Sequence, residues 1–211
     1  MHTNFFKPLQ PTRFVIQESG FSLVEVLISV VILSFGLLGM VGLQAAALQG
    51  NRDARLQSTA INLARELAET MRGNKYIALL AVNNPYLGNF NTSPLVAAAP
   101  SYCLNVGLAP TACGSNTVIA AAHMTEWLGR VSNDLPNPRV TVCVDSAPYA
   151  ADGTPRWACD ASGVGATTVI KIGWTRASTD RSQTGAAALK RTTDIGSAPT
   201  IVFPITAGNE L

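Results

Sequence analysis

The chemistry in this chain begins with a carboxylate placed where lipid would make it costly. Gly20-Phe21-Ser22-Leu23-Val24-Glu25 is followed by eighteen residues, Val26 to Leu43, that carry no charge. As a helix rising about 1.5 Å per residue, Phe21 to Leu43 spans roughly 35 Å, enough to cross a hydrocarbon core of about 30 Å. A carboxylate inside lipid costs on the order of 2.5–3.5 kcal/mol on insertion scales, so Glu25 needs a partner or a task. Hydrolysis of the peptide bond after Gly20 would supply the partner. Phe21 would then carry an N-terminal ammonium, one helical turn from Glu25 and within reach of a neighbour's Glu25 in an assembly. Small, flexible Gly20 suits the extended backbone that a peptidase needs.

The second reactive set is four cysteines, Cys103, Cys113, Cys143 and Cys159, all after the apolar run. An even number confined to one side of a membrane fits disulfides formed in an oxidising periplasm. Four cysteines allow three connectivities. Pairing in sequence order closes the shortest loops, and each bridge would stabilise by about 2–4 kcal/mol. A zinc site is disfavoured, because there is no Cys-x-x-Cys pair and His123 is the only histidine beyond residue 20. His123 lies three residues before Glu126 on an expected helix, without the second histidine of a zinc peptidase. No Gly-x-Ser-x-Gly and no phosphate loop occurs; Gly163-Val164-Gly165 reads as a turn. Trp127, Trp157 and Trp174 are spaced for core packing rather than for base stacking. Asn91-Thr92-Ser93 is a sequon-like tripeptide. These observations predict a non-enzyme with no cofactor and no metal.

The elements that position these residues follow from periodicity. A helix is expected over Phe21–Arg72, since residues 44–72 contain no proline and are rich in strong helix formers. Leu56, Ala60, Leu63, Ala64, Leu67 and Met71 form a stripe at helical spacing, the spine of a head domain. Arg65 and Glu69 are placed to pair at i, i+4, and Gly73-Asn74 gives the stop. Gly36, Gly39 and Gly42 mark where this helix would bend most easily. Gly42, Ala46, Gly50 and Ala54 offer a small-residue face for close helix approach. Residues 75–120 read as a long connection rich in Asn, Pro, Gly, Ser and Ala. A second helix is expected from Thr117 or Val118 to about Asn133, anchored by Ile119, Trp127, Leu128 and Val131. Strands follow at Arg139–Asp145, Thr168–Thr175 and Thr200–Ile205, the last either made an edge strand or shortened by Pro204. The loop Pro148–Gly165 would be tied back by a Cys143–Cys159 bridge, and residues 177–199 read as an exposed loop. A long helix followed by antiparallel strands is an α+β fold. The expected organisation is a leader at 1–20, a membrane helix at 21–43, its amphipathic continuation at 44–73 and a head at 74–211.

Composition agrees. Charged residues make up 13% of 211 residues, against about 25% in soluble proteins, partly because of the apolar run. The formal net charge is +2, and loss of Lys7, Arg13 and Glu18 with residues 1–20 leaves +1. Such a balance argues against electrostatic nucleic-acid binding. The length accommodates one domain beyond the membrane helix. The positive leader stays cytoplasmic, which puts the head in the periplasm.

Gly20-Phe21-Ser22-Leu23-Val24-Glu25-Val26-Leu27 resembles the class III signal of type IV prepilins and type II secretion pseudopilins. With the continuation Ile28 to Gln44, the chain is similar over about residues 18–72 to minor pilins of the PilV type, the type IV pilus modification proteins. Glu18 and Ser19 depart from the basic residue many prepilins carry before the cut. Where many members have a proline, this chain has Gly42. The resemblance implies a type IV pilin-like fold: a long N-terminal helix packed on a small antiparallel sheet with long loops. It implies cleavage between Gly20 and Phe21 by a prepilin peptidase, N-methylation of Phe21, and docking into a fibre through Glu25. It implies a subunit held in the inner membrane by a single pass, with a periplasmic head, that reaches the pilus surface after assembly. Its partners would be other minor and major pilins, the prepilin peptidase/N-methyltransferase, the inner-membrane assembly platform and the lipid bilayer. Its role would lie in priming pilus assembly, with a place at the tip and effects on adhesion, twitching motility or DNA uptake. The alternatives are a minor pseudopilin of type II secretion and, more remotely, a membrane-anchored periplasmic enzyme.

Overall fold

The computed structural model describes residues 20–105, 112–178, 180 and 182–206. Residues 1–19 of the leader therefore lie outside the described residues, as do 106–111 of the long connection. Helix α1 runs over Leu23–Gly73 and is continuous through Gly36, Gly39 and Gly42. The chain divides into two compact units between Leu48 and Gln49.

In the head unit, α1 buries Ala60, Leu63, Ala64, Leu67, Ala68 and Met71, the expected stripe with Ala68 added and Leu56 half-buried at its margin. Helix α2 is a single turn, Lys75–Ala78, and α3 spans Asn116–Asp134. Ser115 starts α3 by accepting the Val118 N–H at 3.3 Å, and the helix stops at Leu135, the residue before Pro136, which disfavours helical backbone there. The apolar face of α3, with Met124, Trp127, Leu128 and Val131 buried, joins the α1 stripe in one core. Ile119, expected as a fourth anchor, is only half-buried. The Trp127 Nε1–H donates to Leu63 O at 2.8 Å, and Arg130 pairs with Glu66, so α3 is fixed to α1 by polar as well as apolar contacts.

The sheet has four antiparallel strands in the order β1-β2-β3-β6, with β1 at Gly88–Phe90, β2 at Arg139–Asp145, β3 at Thr167–Gly173 and β6 at Ile201–Ile205. In register, Val140 faces Ile172 and Val142 faces Ile170, and these four close the core beneath the helices. Pro204, which has no N–H to give, lies on edge strand β6, as its position in the sequence required. A separate two-residue ladder joins β4, Arg176–Ala177, to β5, Leu189–Lys190, with a 3₁₀ turn at Gly185–Ala188 between them.

Three sequence expectations are corrected. The connection after α1 is not a plain loop: it holds α2 and edge strand β1, and it buries Tyr86, Phe90, Leu95 and Ala97 in the core. Arg65 and Glu69 do not pair; Glu69 is taken by Arg72, one turn further on. The segment 177–199 is mostly exposed, yet it contributes β5 and the 3₁₀ turn and buries Thr192.

Candidate functional site

Gly20, Phe21 and Ser22 precede the helix and are exposed. Ser22 begins α1: its carbonyl accepts from Glu25 N–H at 3.0 Å and Val26 N–H at 3.2 Å, and its Oγ lies 3.4 Å from Val24 N. The Gly20–Phe21 peptide bond is thus outside the helical ladder, where a protease can take it in extended form. Glu25 falls in the first helical turn, is exposed, and its carboxylate makes no hydrogen bond or ion pair among the described residues. The partial positive charge at the helix start favours a carboxylate there by about 0.3–1 kcal/mol, which offsets only a part of the 2.5–3.5 kcal/mol that lipid would exact. A further cation is needed to balance Glu25 once it is buried.

Beyond Glu25, thirteen large apolar side chains from Val26 to Leu43 are each at least 47% exposed. Burying them would gain roughly 20–40 kcal/mol at about 1.5–3 kcal/mol apiece. An 18-residue window of this helix is long and apolar enough to cross a membrane, and its residues are exposed. Ser29 and Ser34 return their hydroxyls to the carbonyls of Glu25 and Val30, each at 2.7 Å, so neither is left unbonded in an apolar medium.

The head contains a second polar centre that sequence reasoning missed. On the sheet face away from the helices, Lys171 Nζ donates to Asp145 Oδ2 at 2.5 Å and to Ala158 O at 2.6 Å, and both side chains are wholly buried. Asp145 Oδ1 also accepts from Ala147 N–H at 2.9 Å and Asp160 N–H at 3.1 Å. Burial alone would raise the Asp145 carboxyl, but the Lys171 ammonium and the two backbone donors outweigh it and hold the group below the usual carboxylate range. The cover is the loop after β2, tied down by a Cys143–Cys159 disulfide with Cα atoms 6.4 Å apart. Close approach has a backbone requirement here: a Cβ on Gly173 would lie 2.9 Å from the Trp157 ring, and one on Gly163 would meet Ser146. Trp157 in turn carries the Arg139 guanidinium 4.3 Å from its ring centre. Alternation along Thr-Val-Ile-Lys-Ile predicts an exposed Lys171; the signal that could have revealed its burial was the Cys143–Cys159 pairing, which folds the loop across this face.

Cys143, Asp145 and Cys159 place potential ligand atoms within 4.8 Å of one another. The two sulfurs are bonded to each other and the carboxylate is committed to Lys171, so this donor set is unsuited to a metal. Cys103 and Cys113 form the other bridge, with Cα atoms 5.2 Å apart. The two bridges therefore pair the cysteines in sequence order. His123 is half-buried on α3, and its Nδ1 lies 3.1 Å from the Tyr86 hydroxyl. Burial lowers its pKa, against the opposing charge of Glu126. The contact ties α3 to the segment that carries Tyr86.

Residues 17–41 match the prokaryotic N-terminal methylation motif, and residues 42–122 match the Tt1218-like family, described as type IV pilin Tt1218. The second match begins where the first ends, so together they run from before the Gly20–Phe21 junction into α3. No curated protein and no solved structure matches the chain. Type IV pilins are structural subunits rather than enzymes, and a long apolar N-terminal helix ahead of a small antiparallel sheet is their α+β fold. Over residues 17–122 the chain is thus similar to type IV pilins, with a methylation motif running without a gap into pilin-like sequence and an exposed apolar helix on a fold of that kind.

Proposed function

We propose that this chain is a minor pilin of the PilV type, cut between Gly20 and Phe21 by prepilin peptidase, N-methylated at Phe21, and used in priming type IV pilus assembly. The observation that carries the reading is the uncovered apolar segment Val26–Leu43 directly after an exposed Gly20–Phe21 junction. In the inner membrane the bilayer covers that segment while the head stands in the periplasm. On extraction by the assembly platform, neighbouring pilin helices replace lipid, so the apolar gain is kept and the net cost of transfer is small. Glu25 supplies direction: its carboxylate is balanced by the Phe21 ammonium of the same or an adjacent subunit. A mispositioned subunit leaves a charge unpaired in an apolar core, at a penalty of several kcal/mol. The type IV pilin description of the matched family favours the pilus over a secretion pseudopilin.

The test is Glu25→Ala in a cell that makes pili. Cleavage and methylation proceed as in the wild type, whereas the variant is depleted from sheared filaments and surface piliation falls. Unchanged piliation together with an unchanged amount of the subunit in filaments would overturn the role given to Glu25.

A further inference from the structure

The β4–β5 ladder places Arg176 directly opposite Lys190. Like charges facing each other across two strands repel, and such pairs are selected against unless something neutralises them. Arg191 follows at the next position, and all three cations line one cavity of about 370 Å³. None of them forms an ion pair among the described residues. Two carboxylates are near: Asp194 lines the same cavity, and Asp180 feels the charge of Lys190. Asp194 Oδ2 accepts the Arg191 backbone N–H at 2.8 Å. Asp180 is held down to about 2 by Gln183 and Ser182, with Lys190 the weakest contributor. The cavity thus sets three cations against the single carboxylate of Asp194, an excess of positive charge open to an anion from outside.

A second cavity, of about 270 Å³, shares Arg191 and Thr192 with the first. Its other lining groups include Asn91, Thr92, Ser93, Asn137 and Thr193, amides and hydroxyls able both to donate and to accept hydrogen bonds. Thr175 lines it too, and its buried hydroxyl has no hydrogen-bond partner among the described residues. Buried polar groups are rarely left so, and an occupant of this cavity would supply the missing partner. A cationic pocket joined through one arginine to a pocket of hydroxyls and amides complements a chain of polyhydroxylated rings bearing carboxylates.

We infer that this end of the head binds an acidic oligosaccharide, with a sugar carboxylate among Arg176, Lys190 and Arg191 and ring hydroxyls in the Asn91–Thr193 pocket. Arginine is the natural anchor, since its fork takes a carboxylate through two hydrogen bonds. The site is independent of the processing and assembly reading above, because it uses no residue of α1.

The test is calorimetric titration of the full chain in detergent micelles with tetragalacturonate and with α2,8-linked tetrasialic acid. Binding of at least one is expected, with its affinity cut about tenfold or more in Arg176→Gln/Lys190→Gln/Arg191→Gln, and by a smaller factor in Thr92→Val/Thr193→Val. These positions are exposed, so both variants should keep the wild-type unfolding temperature, which is measured alongside. The methyl ester of tetragalacturonate should bind more weakly than the acid. Failure of both acidic probes at millimolar concentration overturns the proposal, as does binding that the triple variant leaves intact. Equal affinity for inorganic polyphosphate of the same charge overturns it as well, since that would mark a general cationic surface.

Discussion

Replacing Asp145 with Ala tests whether the covered ion pair is a structural keystone of the head. The substitution removes the acceptor of Lys171 Nζ and of the Ala147 and Asp160 N–H groups, leaving a buried ammonium bonded only to Ala158 O. Breaking one partner of a buried pair costs about 3–5 kcal/mol. For a domain of this size each kcal/mol moves the unfolding midpoint by about 2–4 °C, so a fall of roughly 6–20 °C is expected. Lys171→Met should cost less, because Asp145 would keep its two backbone donors. In Asp145→Asn/Lys171→Met, the Asn carbonyl takes those two N–H groups while Met fills the stem volume of the lysine, so most of the lost stability returns. With Asp145→Asn added as the second single variant, the pair should therefore show a coupling of about 2–3 kcal/mol in a double-mutant cycle. Asp145 titrates lower in the folded protein than in the unfolded chain. Its contribution is therefore complete above about pH 4, the unfolded carboxylate range, and is lost as pH falls through the folded value. The double variant should lack this acid-side loss. Urea unfolding followed by tryptophan fluorescence measures all these variants. A value for Asp145→Ala within 1 kcal/mol of the wild type would refute the reasoning.

Three further outcomes follow from the same contacts. Cys143→Ala/Cys159→Ala should destabilise the head by more than Cys103→Ala/Cys113→Ala in denaturant titration; loop closure is worth about 3 kcal/mol for either bridge, but only the former also loosens the cover of Lys171. Leu67→Ala, at the fully buried centre of the α1 stripe, should cost about 2–5 kcal/mol by the same titration, while Leu48→Ala on the exposed stretch should leave head stability unchanged. The folded pKa of His123 is lowered, so its contribution to stability is complete above the unfolded value near 6.5 and falls as pH drops below it; unfolding midpoints of His123→Gln should show a flatter slope there.

The parts of the fold written locally were legible. A helical stripe of alanines and leucines marks α1, alternation marks β2, and Pro204 fixes β6 at the edge. What escaped was made by tertiary contact. Strand β1 is only Gly88-Asn89-Phe90, a poor strand former on its own; it pairs because Phe90 is buried in the core and Thr141 donates to Asn89 Oδ1 at 3.0 Å. Glu66 pairs with Arg130 of α3, a partner 64 residues away that no helical spacing reveals. Lys171 obeys the alternation of its strand, but the face it points to is covered by a disulfide-tied loop instead of by water. The N-terminal site was the opposite case. Its meaning lies in order and composition, and the structure adds that the Gly20–Phe21 junction precedes the helix and that the apolar side chains after it are exposed.

Mass spectrometry of the N-terminal peptide, taken separately from whole membranes and from filaments sheared off the cell surface, tests the central claim most directly. A chain beginning at N-methylated Phe21 in the sheared fraction is the predicted result, and it would fix both the processing and a place in a surface fibre. A chain that retains residues before Phe21 in cells able to process other prepilins would contradict it.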